Sequence, residues 1–256
     1  MKVSLLTFQR VLFIILIGLI LVFFGILLFI NFTGRYQSIN DGVSGNDTPV
    51  TTTEEPTVAT DTPSASETTI KSSVLLDVDF TSQAPLSNWD TIHEETCEEA
   101  SLLMVKYYIN KASLPGSNEV DSELLSLVEW ETAHGYSQDV TVKQLSDIAK
   151  LYYGIGNSLI IENPTVDSIK EQLSLGHSVI LPAAGRLLDN PNFRNGGPVY
   201  HMLVVKGYND THFITNDPGT RKGNGFVYTY ENLMNAIHDW DPTNILNGRR
   251  AVLVLY

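Results

Sequence analysis

Twenty consecutive residues with neither a charge nor a proline, VLFIILIGLILVFFGILLFI from Val11 to Ile30, narrow what the start of this chain can become. A helix of that length spans a hydrocarbon core of about 30 Å with every backbone polar group satisfied internally. Lys2 and Arg10 precede the run and only Arg35 comes closely after it, so the cation bias sets residues 1–10 in the cytoplasm and exports the chain beyond residue 30. The run exceeds the ~7–15 apolar residues of a cleaved signal peptide, and no clear small-x-small site comes after it. The expectation is an uncleaved, single-pass anchor in the cell membrane.

Residues 31–73 change character. From Gln37 the chain is rich in Thr, Ser, Pro and acidic residues and nearly empty of aromatic and large aliphatic side chains. Such a segment cannot bury enough apolar surface to offset the entropy of ordering it, so it is expected to be a disordered stalk. Asn46-Asp47-Thr48 matches the N-glycosylation pattern, although patterns this short arise often by chance.

Residues 74–256 are long enough for one globular domain with a substantial core. The chain carries a formal net charge of −13, and a surface this acidic does not suit a nucleic-acid partner. Its single cysteine, Cys97, rules out an internal disulfide framework. No HExxH, paired CxxC or EF-hand pattern occurs, so neither a metal nor a cofactor is expected.

Within the domain the hydrophobic period changes halfway. Apolar residues recur at helical spacing over Ser101–Tyr108, Leu124–Trp130 and Leu145–Tyr153, the last preceded by a capping box of Thr141 and Gln144. A shorter helix is predicted from Val166 to Leu175, stopping at Gly176. Beyond it, SVILPAA from Ser178, HMLVVKGY from His201, HFITNDP from His212, FVYTY from Phe226 and the terminal RRAVLVLY read as strands, with a helix over Glu231–Ile237 between the last two. Helices succeeded by strands predict an α+β domain with an antiparallel sheet.

Cys97 stands where the first helix begins. Thr96 and Glu99 have the spacing of a capping box, which puts the thiol in the first turn, where free N–H groups and the helix dipole stabilise a thiolate. Glu98 and Glu99 oppose that by placing negative charge beside it. Two readings are open: a nucleophile, or a small buried hydrophobe, the commoner fate of a lone cysteine.

A thiol nucleophile needs a base, and the base needs an orienting acceptor. Of six histidines, His201 opens a strand, and a hairpin turning near Tyr208–Thr211 brings it opposite Asp217 or within one or two residues of it. Each has an ordinary alternative: His201 as a structural strand residue, Asp217 as a turn former before Pro218-Gly219. His93 lies on the approach to the helix, His134 at a helix end, and His177, His212 and His238 have no carboxylate placed for them by the hairpin.

These residues fall in a recognisable order. The run DVDFTSQAPLSNWDTIHEETCEEASLLMVKYY, with HMLVVKGY and FITNDPG downstream, resembles the C39-like cysteine peptidases, a branch of the papain-like fold. Ser82-Gln83, Trp89, Cys97, His201 and Asp217-Pro218 carry the resemblance over nearly the whole exported domain. It implies a papain-like fold acting on peptide or protein substrates, with Cys97 as nucleophile, His201 as general base, Asp217 as orienter and Gln83 donating its amide to the oxyanion beside the backbone N–H of Cys97. Trp89 is expected to pack. One departure stands out: many relatives begin this helix Cys-Gly-Pro, whereas here it is Cys97-Glu98-Glu99. The same residues would also serve acyl transfer or cell-wall amide cleavage, and a stalked, catalytically silent binding domain is the non-enzymatic alternative.

Overall fold

The computed structural model describes residues 69–256, so the predicted tail, the membrane helix over 11–30 and most of the stalk lie outside it. Among the described residues, no helix is long and apolar enough to cross a membrane. Lys71, inside the stretch read as stalk, already bonds to the domain: its N–H donates to Ser174 Oγ at 3.2 Å and its carbonyl accepts from the Tyr208 hydroxyl at 2.6 Å.

The elements run β1 (Val74–Leu75), α1 (Cys97–Ile109), α2 (Ser117–Ala133), α3 (Val142–Tyr153), β2 (Ser158–Glu162), α4 (Val166–Ser174), β3 (Val179–Ala184), β4 (Tyr200–Tyr208), β5 (His212–Asn216), β6 (Asn224–Thr229), α5 (Tyr230–Ala236) and β7 (Ala251–Leu255). The predicted mixture of helices and antiparallel sheet is what forms. The seven-stranded sheet has the order β2-β7-β3-β4-β5-β6, with β1 on β4, and every pairing is antiparallel. Two strands escape the helices-then-strands pattern. β1 is two residues long, and β2, SLIIE, is largely exposed at the sheet edge, so neither carries the clean alternation that marks a half-buried strand.

Side chains alternate across the central strands and build two cores. Tyr200, Met202 and Val204 of β4, Ile180 of β3 and Leu253 of β7 pack with α1 and α3 on one face. Leu203 and Val205, Val179 and Leu181, and Val252 and Val254 face the other way, with Ile169 and Leu173 of α4 and Leu233 of α5. α1 is buried without interruption from Cys97 to Val105, which is why its apolar residues show no single stripe: a helix lying between a sheet and other helices is covered all round.

Helix starts obey the sequence unevenly. The capping box at Thr141 and Gln144 forms as predicted. The one at Thr96 and Glu99 does not. Thr96 has no capping hydrogen bond and instead donates its hydroxyl to the carbonyls of Gln83, at 2.9 Å, and His93. The Thr96 backbone, at φ −100° and ψ 35°, lacks the extended conformation of a cap, and Glu99 is buried beside Glu131.

Candidate active site

β4 outruns β5 at one end of the sheet. Their ladder begins only at Val204 opposite Asn216, so His201 and Met202 lie beyond the end of β5, where Asp217 starts the next turn. The hairpin therefore delivers His201 and Asp217 to one place, with His201 Nε2 2.8 Å from Asp217 Oδ1. Both are fully enclosed, at 1% and 0% exposure.

Asp217 is saturated with donors. Besides His201, Oδ1 accepts the N–H of Gly219 at 3.0 Å, while Oδ2 accepts the Tyr228 hydroxyl at 2.5 Å and the Asn190 amide at 3.0 Å. Burial pushes the carboxyl pKa up, but the charge and hydrogen bond of His201, with Tyr228 and Gly219, more than offset it and leave the group below the usual carboxylate range. An ionised Asp217 accepts, so His201 donates through Nε2. Two loops wedge the imidazole: the Phe193 ring meets it edge-on at 5.4 Å, and a Cβ placed on Gly219 would stand 2.8 Å from its Cε1. Glycine at 219 is a requirement of that close approach.

Cys97 comes from the opposite side, at the N-terminus of α1. Its sulfur accepts the N–H of Met202 at 3.3 Å, one residue from the backbone of His201. The thiol donates to Glu98 Oε2 at 2.9 Å, and none of its hydrogen bonds runs to His201. Cys97 is 6% exposed, and burial first, then the charge and hydrogen bond of Glu98, push its pKa well above the ordinary thiol value. In the resting structure, burial and Glu98 thus oppose the thiolate stabilisation expected of the helix start.

Glu98 belongs to a group of buried carboxyls. Its Oε1 accepts the N–H of Val140 at 3.2 Å, and burial raises its pKa to about 8. Behind it, Glu99 and Glu131 face each other at 3% and 4% exposure; burial and mutual repulsion raise Glu99, and burial raises Glu131 to about 7. Among the described residues, Oε2 of Glu99 and Oε1 of Glu131 have no hydrogen-bond partner.

Gln83 is tied in by its backbone. Its N–H donates to Pro218 O at 3.0 Å and Ser82 Oγ donates to the same carbonyl at 3.3 Å, so the Ser-Gln and Asp-Pro pairs, far apart in sequence, are joined in space. One amide hydrogen of Gln83 Nε2 goes to His93 O at 2.8 Å; a second remains. His93 is itself held in a short turn by Asp90 at 2.8 Å and Asp121 at 3.0 Å.

Gln83, Cys97 and His201 line one cleft of about 850 Å³, with Asp217 buried behind His201. Trp89 is half-buried in its wall. His134, His177, His212 and His238 lie outside that lining. Asn190 and Tyr228, which complete the shell of Asp217, carry no sequence signal for it; strand pairing alone sets Tyr228 beside β5. No group of three or more His, Cys, Asp or Glu able to hold a metal occurs among the described residues.

Residues 75–245 match the sequence model of the Peptidase_C39 like family. No curated protein matches the chain. Among solved structures, a crystal structure from Bacillus anthracis, described there as a candidate C39-like peptidase, is similar with a TM-score of 0.48 and 15% identity, covering 73% of this chain and 98% of that one.

Proposed function

The chain belongs to the Peptidase_C39 like family, and on that premise we propose that it is a cysteine peptidase of papain-like fold that cleaves peptide bonds through Cys97, His201 and Asp217. The observation that carries this reading is the end of β4: the N–H next to His201 touches the Cys97 sulfur, while the His201 imidazole is bonded to Asp217.

Those positions set the chemistry. Turning Sγ away from Glu98 lets the thiol give its proton to Nδ1 of His201, and the resulting thiolate attacks the scissile carbonyl carbon. The oxyanion is received by the second amide hydrogen of Gln83 and by the N–H of Cys97, which as the first residue of α1 has no intrahelical acceptor. Collapse breaks the C–N bond, the amine leaves with the proton from His201, and water, deprotonated by the same imidazole, hydrolyses the thioester and frees the thiol. Asp217 holds the tautomer that keeps Nδ1 basic. The apolar run at Val11–Ile30 and the polar stretch after it support an anchored enzyme facing the cell exterior.

The test is hydrolysis of fluorogenic peptide pools by the full chain in non-ionic detergent, with Cys97→Ala as control. Cleavage that disappears with Cys97 is expected; no amide cleavage, or cleavage surviving the substitution, contradicts the reading. Protease added to sealed cells should remove the domain, and complete protection would overturn the exported orientation.

A further inference from the structure

The cleft has the opposite charge from the protein. The chain has 29 acidic and 16 basic residues, yet four of those basic residues, Arg186, Arg194, Arg221 and Lys222, line this one cleft. All four are exposed, and among the described residues none is paired with a carboxylate. Arg221 makes only a 3.3 Å bond to the neutral Ser87 hydroxyl. A guanidinium without a counter-ion in a concave wall is a binding group awaiting an anion.

Their placement is specific. Arg194 comes directly after Phe193, whose ring packs against His201, and Arg221 and Lys222 lie just beyond Gly219, whose backbone presses on the same imidazole. Both loops that wedge His201 therefore carry cations that line the cleft. The carboxylates lining the cleft, Glu94 and Glu95, sit in the turn preceding Cys97. Four cations against two carboxylates leave the lining net positive, and clefts with low-dielectric walls concentrate such fields.

We infer that the substrates of this site are acidic peptides, with Asp or Glu side chains close to the scissile bond seated on the wall formed by Arg186, Arg194, Arg221 and Lys222. The inference rests on reading the cleft as a peptidase site, and it adds the substrate class. The fold's own acidity sharpens the choice, because the rest of the surface repels such a peptide and leaves this wall as the attractive region.

Three synthetic peptide pools, identical except for Glu, Gln or Lys at the variable positions, provide the probe. Binding is read by fluorescence anisotropy on full-chain Cys97→Ala in non-ionic detergent, and cleavage on the wild-type full chain. The Glu pool should bind roughly tenfold more tightly than the Gln pool, the factor one good charge-assisted hydrogen bond supplies. The advantage should shrink as salt rises and reverse toward the Lys pool in Arg194→Glu/Arg221→Glu. Single reversals at Arg186 and Lys222, with circular dichroism to confirm the fold, should each give part of the effect. Equal binding of the three pools, or a Glu preference unmoved by the reversals, overturns the inference. Selective binding of the Glu pool with no cleavage of any pool sinks the peptidase reading and leaves the charge inference standing; equal cleavage of all three does the opposite.

Discussion

The two sides of the cleft are built on opposite electrostatic terms. On the sheet side, Asp217 is as buried as any group in the protein, yet three donors and an imidazole make its negative charge comfortable. On the helix side, Glu98, Glu99 and Glu131 are almost as buried, have few or no donors, and hold their protons to higher pH. On the proposed reading, the base is assembled in advance and the nucleophile is restrained. Burial alone does not set the charge state of a carboxyl; the donors delivered to it do.

Breaking the sheet side should have the largest effect. His201→Ala is expected to lower kcat for peptide cleavage by about 10⁴ or more with little change in KM, since the imidazole acts on the proton and not on ground-state binding. A comparable loss in KM would recast His201 as a binding residue. Next, Gln83→Ala should cost about 10²–10³ in kcat, the usual worth of one oxyanion donor. Steady-state kinetics on the pool that is best cleaved reads both.

The helix side is sharpened by pH. Glu98 and Glu131 keep their protons in the fold above the ordinary 4.5, so their contribution to stability is complete below that value and is lost as pH rises through about 7 for Glu131 and about 8 for Glu98. Stability measured by denaturant should therefore fall between pH 5 and 8, and Glu131→Gln should reduce that fall by an amount on the order of 2 kcal/mol. An unchanged slope would mean the pair ionises without cost. The smallest effect belongs to the 185–197 segment: Arg194→Gln should alter which peptides are cut while leaving the rate of Cys97 alkylation by iodoacetamide unaltered, and equal loss of both would place the segment in the nucleophile's environment.

The fold was legible where periodicity was unambiguous. Val179–Ala184, Tyr200–Tyr208 and Ala251–Leu255 read as strands because β-branched and aliphatic residues run together there, and Val142–Tyr153 as a helix because a capping box opens it. β2 was not, being short and mostly exposed. The proximity of His201 and Asp217 could be inferred from hairpin arithmetic, since a loop of three residues fixes register to within one bulge. The state of Cys97 could not. Glu98 turns back onto the sulfur while accepting the N–H of Val140 from a loop 42 residues away, and Thr96 has the spacing of a cap but a backbone of φ −100° and ψ 35° that spacing does not reveal.

The central claim is that Glu98 restrains the thiol and His201 activates it. The direct measurement is the pH profile of Cys97 alkylation by iodoacetamide in the full chain, in wild type, Glu98→Gln and Glu98→Gln/His201→Ala. The account predicts slow alkylation of wild type at neutral pH, a profile moved to lower pH in Glu98→Gln, and loss of that gain when His201 is also removed. A wild-type thiol already reactive at neutral pH, a profile indifferent to Glu98→Gln, or a gain that persists without His201 would contradict it.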